Sequence, residues 1–292
     1  MRIAVFGKKF GEVFFNSCKS LFLILKHNNV DIIIHKPFYE FLLTTVKMKP
    51  EVAGFFESDP LDKDVEMVFS IGGDGTFLEA VTYVRNTGIP IVGINSGRLG
   101  FLADISQDDM QVALKDILAG RYKTRQLDLL ELKTDSKHFK DNNFALNELA
   151  VSKRDSSSMI TIHTYVNDEF LNSYWADGLI IATTTGSTAY SMSVGGPIMH
   201  PDSQNFIITP IAPHNLNVRP IVVPNNVEIT LKIDGRDSNF LTSLDSRSAV
   251  FENSVHLRIK KADFSVQVIE LNKHSFFTTL RNKLMWGVDK RN

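Results

Sequence analysis

The chain has 292 residues, of which 43% are hydrophobic and 22% charged, and its formal net charge is −1. This near-neutral charge lacks the excess of basic residues that is typical of nucleic-acid-binding proteins. The apolar runs are too short to cross a membrane. The single cysteine, Cys18, excludes an internal disulfide and fits a reducing compartment. The opening stretch "MRIAVFGKKFGE" lacks the apolar region and cleavage site of a signal peptide. We therefore expect a cytoplasmic protein with neither nucleic-acid nor membrane partners.

The first hundred residues alternate strand and helix patterns. Continuous apolar runs separated by helical spacing are typical of a parallel sheet that is covered on both faces. The predicted strands are 2–7, 30–35, 65–71 and 90–95, and the predicted helices are 11–27, 37–46 and 76–86. Thr76 is a candidate N-cap of the third helix, and Gly88 is a candidate C-cap.

The pattern changes after about residue 105. A helix is predicted over 106–120, with Ser106 as N-cap and Asp109 three residues later. From Tyr122 onward, short alternating segments separated by turn residues indicate an all-β, sandwich-like region. Helical spacing returns at 275–287. These patterns predict an α/β domain at 1–105, a β-rich domain at 106–270 and, at 271–292, a C-terminal helix that packs back onto the core.

The stretch "GGDGT" (72–76) follows a predicted buried strand and opens a helix. Glycine-rich strand-to-helix turns often bind phosphate through backbone N–H groups. Glycine also allows positive φ and close approach of a ligand to the backbone. Asp74 places a negative charge in the middle of such a turn, which raises the question of its role. The alternative interpretation is a tight turn in which Asp74 is only a solvated turn residue.

Three further stretches combine polar residues with glycine or an interrupted strand. "NSGRLGFL" (95–102) follows the next parallel strand, so the two loops could form one crevice. "ALNELAVSK" (145–153) is either an edge strand with a polar face or a hydrogen-bonding site for a hydroxyl-bearing ligand. "DGLIIATTTGSTAYSMSVGGPIMHP" (177–201) has the hydroxyl and glycine density of a nucleotide or phosphate site, although such a loop can also be merely flexible.

Other chemistries find little support in the sequence. There is no CxxC or HExxH motif and the histidines are scattered, so no metal site built from the protein alone is predicted. The P-loop motif, the GxGxxG fingerprint and the GxSxG elbow are also missing. Cys18 lies in an apolar helix stripe and is interpreted as core. Trp175, Phe101 and Tyr190 lie beside the motifs, where each is either a core aromatic or a stacking surface for a base.

In their order and spacing, "GGDGTFLEA", "INSGRLGFLADI", "LNELAVSK" and "DGLIIATTTGSTAYSMSVGGPIMHP" together resemble the NAD kinase family. "GGDGT" alone is less specific, because diacylglycerol and sphingosine kinases carry a similar motif and 6-phosphofructokinases carry "GGDGS". The resemblance covers nearly the whole chain and implies a Rossmann-like N-terminal domain and a β-rich C-terminal domain. It implies transfer of the γ-phosphate of ATP to the 2′-hydroxyl of the adenosine ribose of NAD. It also implies that Mg²⁺ or another divalent cation assists the transfer. The protein would be a homodimer or homotetramer.

The resemblance also implies roles for particular residues. Asp74 matches the proton acceptor, and the other matching positions would contact the nucleotide. Asn147 and Glu148 match a pair that binds NAD, Phe101 and Ala212 match residues beside the adenosine, and Asp177 matches a carboxylate at the nicotinamide end. The remaining binding positions are Gly75, Thr185, Thr188, Ala189, Tyr190, Ser191, Met192 and Ser193.

The chain departs from the family pattern at a few positions. Thr184 replaces a common proline, and Trp175 stands where some members have arginine. "LDSRS" puts Asp245 and Arg247 where many members read "DGQ", so Arg247 is a candidate phosphate-binding residue. Arg98 and Arg247 are the candidate cations for the γ-phosphate, and the N–H groups of Gly72 to Thr76 are expected to bind phosphates and hold Asp74.

Two other functions are compatible with parts of the sequence. A diacylglycerol-type lipid kinase would share "GGDGT", but the near-neutral charge and the "LNE" and "TTTGSTAYS" stretches argue against it. A nucleotide-binding sensor without catalysis is less compatible with an intact Asp74. Formation of NADP, or binding of NAD without it, distinguishes the kinase from the sensor.

Overall fold

The computed structural model describes residues 1–57, 61–97, 100–136, 138–154, 159–271 and 275–285. The chain divides into two compact units. Unit 1 contains residues 1–126 and 266–292, and unit 2 contains residues 127–265. This division differs from the expected boundaries at 105 and 270.

Unit 1 is built on a parallel sheet with the strand order β3-β2-β1-β4-β5, and the end of the last strand, β17, joins β5. The strands are β1 (Arg2–Gly7), β2 (Asp31–His35), β3 (Gly54–Phe56), β4 (Met67–Gly72), β5 (Ile91–Asn95) and β17 (Leu257–Glu270). The predicted parallel sheet is therefore confirmed. The short edge strand β3 was not predicted, because its three residues show too little of the strand pattern.

The helices of unit 1 cover this sheet. They are α1 (Phe15–His27), α2 (Lys36–Phe41), α3 (Asp74–Val84), α4 (Met110–Leu118) and α6 (Phe276–Leu284), with a 3-10 turn at Glu12–Phe14 and a π turn at Leu42–Val46. The apolar face of α4 lies in the same core cluster as α1, which explains why unit 1 extends past residue 105. Cys18 belongs to this core, and burial raises the pKa of its thiol to about 12, as expected for a structural cysteine.

Three predicted helix caps differ from the structure. Helix α3 begins at Asp74 with Gly73 as N-cap, so Thr76 lies inside the helix and does not cap it. Its C-cap is Arg85 with φ 48°, and Gly88 lies three residues further on with φ 76°. The Ser106 hydroxyl donates to Asp109 at 2.6 Å, but this contact closes a turn that precedes α4.

Unit 2 consists of two layers of antiparallel strands. One sheet has the order β13-β12-β11-β8-β15-β16; in the other layer, β10, β9, β14 and the start of β17 follow one another, and β6 pairs with β7. The strands are β6 (Lys123–Lys133), β7 (Phe144–Ala145), β8 (Glu148–Lys153), β9 (Ile160–Val166), β10 (Glu169–Ala176), β11 (Gly178–Thr183), β12 (Asn205–Ile211), β13 (Ile221–Pro224), β14 (Ile229–Asp234), β15 (Asn239–Leu244) and β16 (Arg247–Glu252).

The core of unit 2 lies between these two layers, as the period-2 pattern predicts. Buried side chains from both layers form one cluster, among them Ile162, Leu231 and Ile259 from one and Leu149, Ile181 and Ile208 from the other. The sandwich-like prediction is therefore confirmed. Between β11 and β12 the chain forms a 3-10 turn at Thr185–Thr188 and a short helix, α5 (Tyr190–Ser193). Over the described residues, we find no helix with the length and apolar character that a membrane span requires.

Candidate functional site

The "GGDGT" loop joins β4 to α3, as predicted, and Asp74 is the first residue of the helix. Its glycines do not adopt positive φ; the glycines that do are elsewhere in the chain. Gly72 is required by close packing instead, because a Cβ there would overlap the Thr76 side chain. A Cβ at Gly73 or Gly75 would meet no atom within 4 Å. The start of α3 thus keeps open space beside Asp74.

The carboxylate of Asp74 is bound by three consecutive backbone N–H groups of the loop after β5. Phe101 donates to Oδ2 at 2.9 Å, and Leu102 and Ala103 donate to Oδ1 at 3.0 Å each. A Cβ at Gly100 would overlap Oδ1, so this loop approaches the carboxylate as closely as it does only because residue 100 is glycine. Asp74 is therefore held by residues 101–103, whereas the sequence led us to expect that Gly72 to Thr76 would hold it.

The loop after β5 is itself fixed by Asn95. The Asn95 carboxamide accepts the Gly97 N–H at 2.6 Å and donates to the Ala103 carbonyl at 3.3 Å. Ser96 N–H donates to the Gly72 carbonyl at 3.1 Å. The two loops therefore lie side by side at the carboxyl ends of β4 and β5, where the sequence predicts one crevice. The candidate Arg98 lies outside the described residues.

Sequence reasoning missed a cation at this crevice. Lys283, near the end of α6, places its ammonium 3.4 Å from Asp74 Oδ2 and 4.4 Å from the ring centroid of Phe101. The side chains of Asp74 and Lys283 are 29% and 30% exposed, so solvent or a ligand reaches both. The sequence predicted that the C-terminal helix packs back onto the fold, but it contained no signal for the residue that Lys283 meets.

In unit 2 the pair Asn147–Glu148 begins strand β8, and both residues are buried. The peptide is held by Asp245, which accepts N–H groups from Leu146, Asn147 and Glu148 at 3.0, 2.9 and 3.2 Å. Asp245 in turn donates its own N–H to the Glu148 carbonyl at 3.0 Å. Asp245 therefore fixes the backbone of the predicted NAD-binding pair, a role that the sequence did not reveal.

Glu148 has an unusual electrostatic environment. Burial, reinforced by the nearby charge of Asp245, raises its pKa from 4.5 to about 8, while a hydrogen bond from the Tyr190 backbone acts in the opposite direction. Its Oε2 is buried and has no hydrogen-bond partner. A carboxyl group that retains its proton near neutral pH can donate a hydrogen bond as well as accept one. The hydroxyl-binding interpretation of the "LNE" stretch is compatible with this environment and stays a prediction.

Arg247 is engaged by the protein backbone. Its guanidinium donates to the carbonyls of Asn142 and Phe144, lies over the Phe144 ring and approaches Asp245 Oδ2 at 3.7 Å. Burial lowers the pKa of Arg247, and the charge of Asp245 opposes that shift. These contacts favour a structural role over the phosphate-binding role predicted from the sequence.

The hydroxyl-rich loop after β11 packs directly on the Asn147 backbone. A Cβ at Gly186 would overlap the Asn147 carbonyl, which explains the glycine. Hydroxyls at the end of β11 and in this loop serve the fold: Thr183 donates to the Leu146 carbonyl at 2.6 Å, and Ser191 is 3.0 Å from Thr209 Oγ1. The predicted binding residues with partly or fully exposed surfaces are Thr185, Thr188, Ala189, Tyr190, Met192 and Ser193. Ser191 is buried.

The structure places two other predicted residues at the opposite end of β11. Asp177 precedes the strand and pairs with Lys153 at 2.7 Å, and its N–H donates to the Ile211 carbonyl, next to Ala212. Glu148 pairs with Ala182 at the far end of the same strand. A strand of this length separates the two groups by roughly 20 Å. Trp175 is exposed and its ring lies 4.7 Å from that of His214.

Among the described residues, no group of three or more His, Cys, Asp or Glu side chains is arranged to hold a metal ion. Isolated carboxylates such as Asp74 still suit Mg²⁺, since this cation is commonly bound by one or two carboxylates together with substrate phosphates and water. The donor set therefore fits a cation that arrives with a nucleotide.

A strand-to-helix glycine loop, a carboxylate beside a lysine and a buried Asn–Glu pair are compatible with a nucleotide-dependent phosphotransferase. Residues 15–122 match the family model for the ATP-NAD kinase N-terminal domain, and residues 146–271 match that for the C-terminal domain. The chain is 51% identical to the NAD kinase of Flavobacterium psychrophilum and 46% identical to that of Bacteroides fragilis, with full coverage of both chains in each case. The chain belongs to the NAD kinase family.

Two solved structures share this fold. Yeast NADH kinase in complex with NADH has a TM-score of 0.85 at 20% identity, covering 99% of this chain and 88% of that one. An NAD kinase from Archaeoglobus fulgidus in complex with ATP has a TM-score of 0.76 at 26% identity, covering 98% and 99%. The two bacterial relatives are NAD kinases that match this chain over their whole length, so the diacylglycerol-kinase alternative has no support.

Proposed function

We propose that the protein transfers the γ-phosphoryl group of ATP to the 2′-hydroxyl of the adenosine ribose of NAD, giving NADP and ADP. The observation that carries this proposal is Asp74, a partly exposed carboxylate at the start of α3 that three backbone N–H groups hold in one orientation. Membership of the NAD kinase family supplies the substrates.

Asp74 acts as the general base. A ribose hydroxyl is a poor nucleophile, and a positioned base that takes its proton typically contributes about 10²–10⁴-fold to the rate. The new bond joins the 2′-oxygen to the γ-phosphorus, while the bond from that phosphorus to the bridging oxygen breaks and its electron pair leaves with ADP. The proton passes to Asp74. Backbone N–H donors hold the carboxylate in place. Because the fold already fixes these donors, no additional side chain has to be ordered.

Unit 2 binds NAD. Asn147 and Glu148 hydrogen-bond to ribose hydroxyls or to the adenine edge, and the unpartnered Oε2 of Glu148 is available for such a contact. Because the pKa of Glu148 is raised to about 8, its carboxyl can donate to a ligand acceptor at neutral pH. Asp177, Ala212, Thr185 and the run from Thr188 to Ser193 supply the remaining contacts within this unit.

A divalent cation, Mg²⁺ in the simplest case, would accompany the phosphates of ATP and would neutralise part of their charge. The chain contributes Asp74 as a carboxylate near that charge. We also propose a cytoplasmic homodimer or homotetramer. The proposal of an oligomer rests on the resemblance to the NAD kinase family.

The test is NADP formation by the purified protein with ATP, Mg²⁺ and NAD, beside the variants Asp74→Asn and, as a control, Asp31→Asn at an exposed position of β2. We expect NADP from the wild type and the control, and about 10²–10⁴-fold slower turnover with Asp74→Asn. Near-normal turnover of Asp74→Asn would refute the base assignment. If the wild type binds NAD in calorimetry without forming NADP, the protein is the non-catalytic sensor instead.

A further inference from the structure

The contacts of Asp74 include a side chain that folding alone does not explain. Lys283 approaches Oδ2 at 3.4 Å, whereas the three backbone donors lie at 2.9 to 3.0 Å. The lysine contact is therefore the longest of the four. An ion pair with this exposure typically contributes only ~0–1 kcal/mol to stability. Its loss should leave the fold nearly unchanged.

The contacts of helix α6 fix the position of Lys283. Ser275 caps the helix by accepting the Thr278 N–H at 3.2 Å, and Thr279 and Leu280 are buried. Phe276 lies against Phe101, with ring centroids 6.3 Å apart. The ammonium of Lys283 rests over the same Phe101 ring at 4.4 Å. The helix therefore holds the lysine stem beside the Asp74 crevice while the ammonium remains partly exposed.

A simpler explanation is that a cation in the last helical turn favours the helix dipole. Arg281 also lies in that last turn, and its guanidinium donates to Thr278 Oγ1 at 3.3 Å. The helix dipole therefore explains why a cation stands at position 281 or 283, but it does not explain the contact of Lys283 with Asp74. Arg281 is a matched control, because it offers the same charge on the same helix.

Phosphoryl transfer is favoured by a cation beside the oxygens of the transferred group. During phosphoryl transfer, charge develops on the oxygens of the transferred group, and fixed cations or donors aimed at those oxygens stabilise it. Lys8 pairs with Glu79 of α3, whereas Lys283 contacts Asp74 itself. The crevice thus contains a lysine whose present partner is the carboxylate that must be freed for catalysis.

We propose that Lys283 is the phosphate-binding cation of this site, an inference that rests on the proposed kinase function. Without substrate its ammonium is paired with Asp74. When ATP is bound, the ammonium leaves Oδ2 for an oxygen of the transferring phosphoryl group and remains protonated throughout. Oδ2 then accepts the proton of the 2′-hydroxyl, so one exchange of partners both frees the base and stabilises the developing charge.

The experiment compares Lys283→Met, Lys283→Arg and the control Arg281→Met in the full-length protein. Methionine keeps an apolar stem over Phe101 and removes the charge. We expect Lys283→Met to lower kcat/KM for ATP by about 10²–10³-fold, the usual loss for one transition-state donor. Lys283→Arg should recover part of the loss. NAD affinity in calorimetry and the melting temperature should stay at their wild-type values in all three.

A chemical rescue separates a catalytic contact from a structural one. Added ethylammonium should raise the turnover of Lys283→Ala and leave that of Arg281→Ala unchanged, since only the former has a vacant cation position at the phosphate. Activity of Lys283→Met within about 3-fold of the wild type, or an equal loss in Arg281→Met, would overturn the proposal. If the wild type forms no NADP, the kinase function and this inference both fail. If the wild type forms NADP and Lys283→Met is equally active, only this inference fails.

Discussion

Two aspartates in this molecule are bound in the same way and differ in what surrounds them. Asp74 in unit 1 accepts the N–H groups of residues 101–103, and Asp245 in unit 2 accepts those of residues 146–148. The Asp74 side chain is 29% exposed, whereas that of Asp245 is 3% exposed. The same arrangement therefore holds a partly exposed carboxylate, the proposed general base, in one unit and a buried structural carboxylate in the other.

The cations beside the two carboxylates have similar exposure, 30% for Lys283 and 24% for Arg247, but they differ in their other contacts. Lys283 has a partly exposed ammonium that a ligand can reach. Arg247 lies at a similar distance from Asp245, but it also donates to two backbone carbonyls. A lysine is a flexible point charge, whereas a guanidinium fork is held by several directed hydrogen bonds. Exchange of partners is therefore expected in unit 1 and not in unit 2.

The largest effect on stability is expected from Asp245→Ala. The change leaves three N–H groups of buried residues without their acceptor and the Arg247 charge without its counter-ion. We expect a loss of about 3–5 kcal/mol in the free energy of unfolding, as when one member of a buried ion pair is removed. Urea unfolding measures it. Asp263→Ala, at a carboxylate that is 87% exposed, is the control and should change the value by less than ~0.5 kcal/mol. Equal effects would contradict the comparison.

An intermediate effect is expected from Gly100→Ala. The new Cβ would overlap Asp74 Oδ1, so the carboxylate or the loop must shift. A displacement of about 1 Å at a reacting group can cost about 10²-fold in rate, and we expect a loss of that size in kcat. Gly97→Ala in the same loop meets no atom within 4 Å and should retain wild-type turnover. If both variants are equally active, the close fit around Asp74 does not matter for catalysis.

The smallest effect concerns the pH dependence contributed by Glu148. Its pKa is raised from 4.5 to about 8 in the folded protein, so the folded state keeps a proton that the unfolded chain releases. This contribution to stability is complete below pH 4.5 and is lost as the pH rises through about 8. Glutamine cannot titrate, so Glu148→Gln should flatten the decline in the free energy of unfolding between pH 5.5 and pH 6.5.

The flattening should be on the order of 1 kcal/mol, and urea unfolding at the two pH values measures it. Glu252→Gln, at an exposed position of β16, should follow the wild-type decline. A Glu148→Gln curve parallel to that of the wild type would show that Glu148 is ionised in the folded state at both pH values.

The sequence predicted the main parallel strands of unit 1 and the two loops that form the candidate site. Apolar runs located β1, β2, β4 and β5 within two residues, because buried parallel strands leave a continuous pattern. The rule that ligands lie at the carboxyl ends of such strands then predicted the crevice between the loops after β4 and β5.

What the sequence did not reveal depends on tertiary contacts between distant residues. Lys283 and Asp74 are 209 positions apart, and no local pattern indicates such a pair. Arg247 was interpreted as a ligand contact because a charge replaced an expected amide. Its engagement with the carbonyls of Asn142 and Phe144 follows from burial, which local sequence does not determine.

The hydrogen bonds of Asp245 have a consequence for how this enzyme can change. They are made to peptide N–H groups, which every residue except proline provides. The strand start at residues 146–148 is therefore anchored whatever side chains it carries. Asn147 and Glu148, which we propose to bind NAD, can therefore be replaced by any residue other than proline without loss of these hydrogen bonds. The side chains proposed to recognise the dinucleotide can thus change while this backbone anchor persists.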